Sequence, residues 1–82
     1  MSGRSLDEGI ADVLSVMLRV PVSVITGDFS PAQSEAWDSV RHLMIILAIE
    51  ERFGVTFDEK EIGSLTSPIA LAAAVRARLA NS

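Results

Sequence analysis

At 82 residues, with no cysteine and a net charge of −4, the chain has the size of one domain and lacks disulfides, thiolate metal ligands and a protein thiol nucleophile. The acidic balance disfavours non-specific nucleic-acid binding and docking on anionic lipid. The longest strongly apolar run, Leu43 to Ile49, is far short of the ~20 residues that span a bilayer, and no charged start leads into an apolar leader. The expectation is a single cytoplasmic domain over residues 1–82, mostly helical, without membrane insertion or nucleic-acid partner.

Residues 1–4 read as a loose tail, followed by Ser5-Leu6-Asp7-Glu8, which fits a capping box. Leu6, Ile10, Val13, Leu14, Met17 and Leu18 then recur at helical spacing until Pro21, which predicts a first helix over residues 5–19. Residues 20–37 have no sustained period and contain Pro21, Gly27 and Pro31. Such a long connection is either functional or disordered. Val22, Val24, Ile25, Phe29 and Trp37 argue for an ordered crossing pinned to the bundle.

Asp38 is a good N-cap, and Ser39 to Phe53 runs unbroken to Gly54, a C-cap, so this is the second helix. The acidic turn after Val55-Thr56-Phe57 predicts a short helix near residues 59–63. Ser67-Pro68 pairs an N-cap with an N1 proline. It opens a last helix whose face is Leu71, Ala72, Val75 and Leu79 and whose C-terminal end suits Arg76 and Arg78. Residues 80–82 read as loose. No repeat or low-complexity segment occurs, and the pattern predicts an all-α bundle of three main helices and one short one.

The second helix is apolar on two sides. At about 100° per residue, His42, Ile45, Ile46, Ile49 and Phe53 gather on one side, and Val40, Leu43, Met44 and Leu47 on the other. Arg41 and Arg52 share one flank, and Ser39 lies on the opposite flank. A helix apolar all round belongs inside a larger protein or a membrane, and neither fits this chain. One stripe therefore reads as core and the other as a docking surface; the plain alternative is a bundle that wraps more of this helix. Ser39 has no legible activating base. His42, the only histidine, follows on the core side of the same helix, and no oxyanion hole is legible. The chain reads as a non-enzyme.

The stretch WDSVRHLMIILAIEERFGVTF, between a long loop and an acidic turn, resembles the acyl carrier protein family. The family's attachment motif is Asp-Ser-Leu at the start of its second helix, before an apolar pattern ending in Glu-Glu-x-Phe-Gly. Here Asp38-Ser39-Val40 and Glu50-Glu51-Arg52-Phe53-Gly54 stand at the matching spacing, and the resemblance extends from the first helix through SLTSPIALAAAVRARL.

The resemblance implies a monomeric four-helix bundle of acyl-carrier type with a long first loop. It implies that a phosphopantetheinyl transferase esterifies Ser39 with 4'-phosphopantetheine from coenzyme A, with Asp38 presenting the serine to the transferase and its metal. The arm's thiol would carry acyl or aminoacyl groups as thioesters. A loading ligase or acyltransferase would precede the carrier, and a transferase or synthase would follow it. Val40, Arg41, Leu43, Met44, Leu47, Glu50 and Glu51 become the expected partner-recognition residues, and Ile45, Ile46, Ile49 and Phe53 the core side. His42 falls at the rim of the region where some carriers bury an acyl chain, in a packing role.

Three departures from the family pattern matter. Trp37 precedes Asp-Ser where a flexible Gly-x-Asp-Ser is common in fatty-acid carriers, and Val40 replaces leucine. Arg41 and Met44 stand where fatty-acid carriers often show acidic residues. Since charge complementarity chiefly sets partner choice and encounter rate, these changes point to a dedicated freestanding carrier. Its patch would be apolar near Ser39 and acidic further on, at Glu50, Glu51, Asp58, Glu59 and Glu61. Cargo stays open: a long acyl chain predicts a pocket between the second and last helices, and a short acyl or aminoacyl group predicts tight packing by Ala70, Ala72, Ala73 and Ala74. An unmodified bundle serving as an interaction or regulatory module is the alternative, against which Ser39 itself speaks.

Overall fold

The computed structural model describes residues 3–80. Four α-helices follow one another: α1 (Gly3–Leu18), α2 (Ser39–Phe53), α3 (Glu59–Ile62) and α4 (Pro68–Ala80). Two 3-10 turns, Val22–Val24 and Pro31–Gln33, interrupt the long first loop, and no strand occurs among the described residues. The protein is a small all-α bundle.

α1 is the shared wall against which both α2 and α4 pack. Its Ile10 and Leu14 are fully buried, as are Ile45 and Ile49 of α2 and Leu71 and Val75 of α4. The helical spacing of these residues creates the core stripes. Gly9 leaves room on α1 for the Phe53 ring of α2: a Cβ there would lie 2.8 Å from Phe53 Cζ. Ion pairs cross the surface at both seams, Asp7 with Arg76 at 3.0 Å and Asp12 with Arg52 at 3.9 Å.

α1 departs from its predicted limits at both ends. Gly3 and Arg4 are helical, so the loose tail does not extend to residue 4; residues 1 and 2 lie outside the described residues. Ser5 is inside the helix and is not its N-cap, because a cap residue must stand outside the helical backbone. At the other end the helix stops at Leu18, before Pro21. Arg19 takes the left-handed conformation with φ 59°, and the Val20 N–H donates to Ser15 O at 3.2 Å. That closure is a Schellman ending with arginine where glycine is usual.

The long loop is an ordered crossing. Phe29 and Trp37 are buried and Ile25 is half-buried. Val22 and Val24 stay exposed, so the expected pins reduce to the two aromatics and Ile25. The loop is tied to α4 by the Ile69 N–H, which donates to Gly27 O at 3.1 Å.

α4 opens as its sequence dictates, with the Ala70 N–H donating to Ser67 Oγ at 3.1 Å and Pro68 as first residue. Its apolar face is Leu71, Ala72 and Val75; Leu79 is 44% exposed. Ala80 is still helical, while residues 81 and 82 lie outside the described residues. Arg78 fastens α3 to the end of α4: it pairs with Glu61, donates to Thr56 O at 2.9 Å and lies over the Phe57 ring.

Candidate functional site at the start of α2

The chain enters α2 through Asp38, whose extended backbone lets its Oδ1 accept from the Arg41 N–H at 2.8 Å. Capping by a short carboxylate satisfies one of the orphan amides of the first turn and places negative charge at the positive end of the helix. Ser39 is the first helical residue. It is exposed, and its hydroxyl has no hydrogen-bond partner among the described residues. At the far end Gly54 takes φ 67°, and its N–H donates to Glu50 O.

The two sides of α2 separate as the helical wheel predicts. Ile45, Ile46 and Ile49 are buried and Phe53 is half-buried. Val40, Leu43, Met44 and Leu47 are exposed at 69, 55, 45 and 64%. Arg41 is half-buried beside them with no ion pair among the described residues, whereas Arg52, Arg76 and Arg78 each face a carboxylate. Glu50 and Glu51 differ from each other. Glu51 is exposed, but Glu50 is half-buried and its Oε2 accepts from the Phe57 N–H at 2.8 Å, holding the chain that leads into α3.

Beside Ser39 lies an open cleft of about 620 Å³, lined by Pro31 and Trp37 of the loop, Asp38, Ser39, His42 and Leu43, and Ile62, Gly63 and Thr66 around the end of α3. The cleft thus lies between α2, the loop and α3, and α4 does not border it. On the α4 side Leu71, Ala72 and Val75 are buried, while Ala70 and Ala74 are half-buried.

His42 lines this cleft. The Trp37 Nε1–H donates to His42 Nδ1 at 2.9 Å, and His42 Nε2 lies 2.8 Å from Ile62 O. The Trp37 and His42 rings are near-parallel with centroids 6.0 Å apart, and Phe29 lies against Trp37 at 6.2 Å. His42 does sit at the rim of the core, but it also joins the loop, α2 and α3. Sequence reasoning missed this bond, although a signal was present. Trp37 and His42 occupy the N′ and N4 positions around the Asp38 cap, the spacing at which apolar residues staple a helix start; here an indole and an imidazole fill it.

Among the described residues, no group of three or more His, Asp or Glu side chains is placed to hold a metal ion, and no helix is long and apolar enough to cross a membrane. No protein-family model matches the chain, and no curated protein matches it.

Proposed function

We propose that the chain is a carrier protein of the acyl carrier type, modified on Ser39 with 4'-phosphopantetheine, which shuttles acyl or aminoacyl groups in the cytoplasm. The observation that carries this reading is the exposed Ser39 hydroxyl, without a partner among the described residues, at the first position of α2, directly behind an aspartate cap and at the edge of four exposed apolar side chains. The site suits the group chemically. A phosphodiester on Ser39 Oγ would lie at the start of a 15-residue helix, where free amides and the helix dipole favour an anion by typically about 0.3 to 1 kcal/mol. When bound, the arm supplies the thiol that a chain without cysteine lacks.

The chain's own residues have limited, definable tasks. Ser39 would offer Oγ to the transferase: the new Oγ–P bond forms as the pyrophosphate P–O bond of coenzyme A breaks, adenosine 3',5'-bisphosphate leaves, and the hydroxyl proton is released. Asp38 fixes the turn that presents it and leaves Oδ2 free of the capping bond for the transferase side. Val40, Leu43, Met44 and Leu47 form the stripe on which the transferase, a loading ligase or acyltransferase and a downstream transferase or synthase dock in turn, with Arg41 and Glu51 at its margins. The protein is a substrate of these enzymes, without catalysis of its own.

The test is intact mass after incubation with coenzyme A, magnesium and a broad-specificity phosphopantetheinyl transferase, beside Ser39→Ala. Gain of one arm in the wild type and none in the variant is expected. No gain from the folded wild type overturns the reading and favours an unmodified interaction module, for which the same apolar stripe would serve.

A further inference from the structure

His42 and Trp37 are the only histidine and tryptophan of the chain, and their bond selects the tautomer of the neutral imidazole. An indole N–H can only donate, so the Nδ1 facing it must be a bare lone pair; a carbonyl can only accept, so the Nε2 facing Ile62 O must carry the hydrogen. The two contacts, 2.9 and 2.8 Å, thus require one tautomer of the neutral ring. They join three elements: Trp37 ends the loop, His42 closes the first turn of α2 and Ile62 ends α3.

Adding a proton has an asymmetric effect. Nδ1 becomes a donor facing another donor, so the bond to Trp37 is lost. Nε2–H remains a donor to Ile62 O, and a charged donor bonds more strongly. Trp37 is only 4% exposed, so its N–H would have to find water by moving the loop that walls the cleft. On the loop Glu35 is exposed, and on α2 Arg41 is half-buried. Asp38 is the sole other ionisable residue lining the cleft, and its Oδ1 is held by the Arg41 N–H. On α3, Glu61 is turned to Arg78, and Glu59 and Lys60 are exposed.

We propose that the Trp37–His42 bond is a proton-operated clasp. It is closed while the imidazole is neutral and opens as the ring takes up a proton, releasing the loop beside Ser39 while α3 stays on α2. The clasp is independent of the carrier reading; only its bearing on Ser39 modification rests on that reading.

The test is a proton–nitrogen NMR titration of the wild-type protein from about pH 8 to pH 5, the range in which imidazole charge changes. The Trp37 indole N–H and the His42 ring are followed together. The expected result is a shift of the indole signal in step with the His42 ring and a loss of its protection from solvent exchange at the acid end. His42→Gln, whose amide can accept from the indole and donate to Ile62 O without titrating, is expected to hold the indole signal still. Should that variant not fold, Trp37→Phe is expected to abolish the pH response of the loop amides of residues 34–36. An indole signal that ignores a titrating His42, a His42 that stays neutral throughout, or a pH response undiminished in the variant overturns the clasp. Failure of Ser39 to accept the arm at any pH overturns only the carrier reading.

Discussion

Asp38 has two separable tasks, and its substitutions divide them. Its carboxylate caps α2 through the Arg41 N–H, a bond that an asparagine oxygen can replace and an alanine cannot. Asp38→Ala is expected to cost about 1 kcal/mol and Asp38→Asn a few tenths at most, read by thermal or denaturant unfolding. If the carboxylate also presents Ser39 to the transferase, Asp38→Asn is expected to slow modification about tenfold or more, equivalent to one lost charged hydrogen bond. Equal modification rates in wild type and Asp38→Asn would leave the residue as a cap alone. Arg19 is the converse case, a residue whose conformation its side chain does not favour. At φ 59° glycine is preferred, so Arg19→Gly is expected to stabilise the protein by about 0.5 to 1 kcal/mol, despite the larger entropy of the unfolded glycine. Caps such as Asp38, Gly54 and Ser67 were legible because their chemistry is local. Arg19 was not, since arginine gives no sign of a left-handed ending and Pro21 drew the helix limit one residue too far.

At the scale of the element, α2 should answer to substitution in opposite ways on its two sides. Ile49 is fully buried, and Ile49→Ala is expected to cost about 2 to 5 kcal/mol, a large share of the roughly 5 to 15 kcal/mol that holds a domain together. Leu47 is 64% exposed, and Leu47→Gln is expected to change stability by no more than about 0.5 kcal/mol, yet to raise the transferase KM if the stripe docks that enzyme. A Leu47→Gln protein that melts early would mean that the stripe is structural. These two sides were visible in the sequence because a helix repeats its faces at fixed spacing. Glu50 shows the limit of that reasoning. Its place on the wheel suggests a solvent-facing acid, but its carboxylate holds the Phe57 N–H, a contact set by where the chain turns after Gly54. Leu79 likewise leaves its stripe, 44% exposed next to the end of α4.

Across the molecule, the order and kind of the helices follow from periodicity and caps, while the cleft's position follows from packing that no single segment encodes. A long acyl chain pointed to a pocket between α2 and α4; the cleft beside Ser39 opens between α2, the loop and α3. This gives the carrier reading a test of cargo. If the cleft receives a long acyl chain, the long-chain form is expected to melt several degrees above the short-chain form, because burial of apolar surface adds to stability. Equal melting temperatures would place a long chain outside the bundle and favour short acyl or aminoacyl cargo.

Lineages that keep this fold face a paired choice at Trp37 and His42. Losing the histidine alone strands a buried indole N–H, and losing the tryptophan alone strips Nδ1 of its donor, whereas exchanging both for apolar residues of matching shape can be nearly neutral. Single substitutions at either position are therefore the costly ones, and the double exchange is the tolerated one.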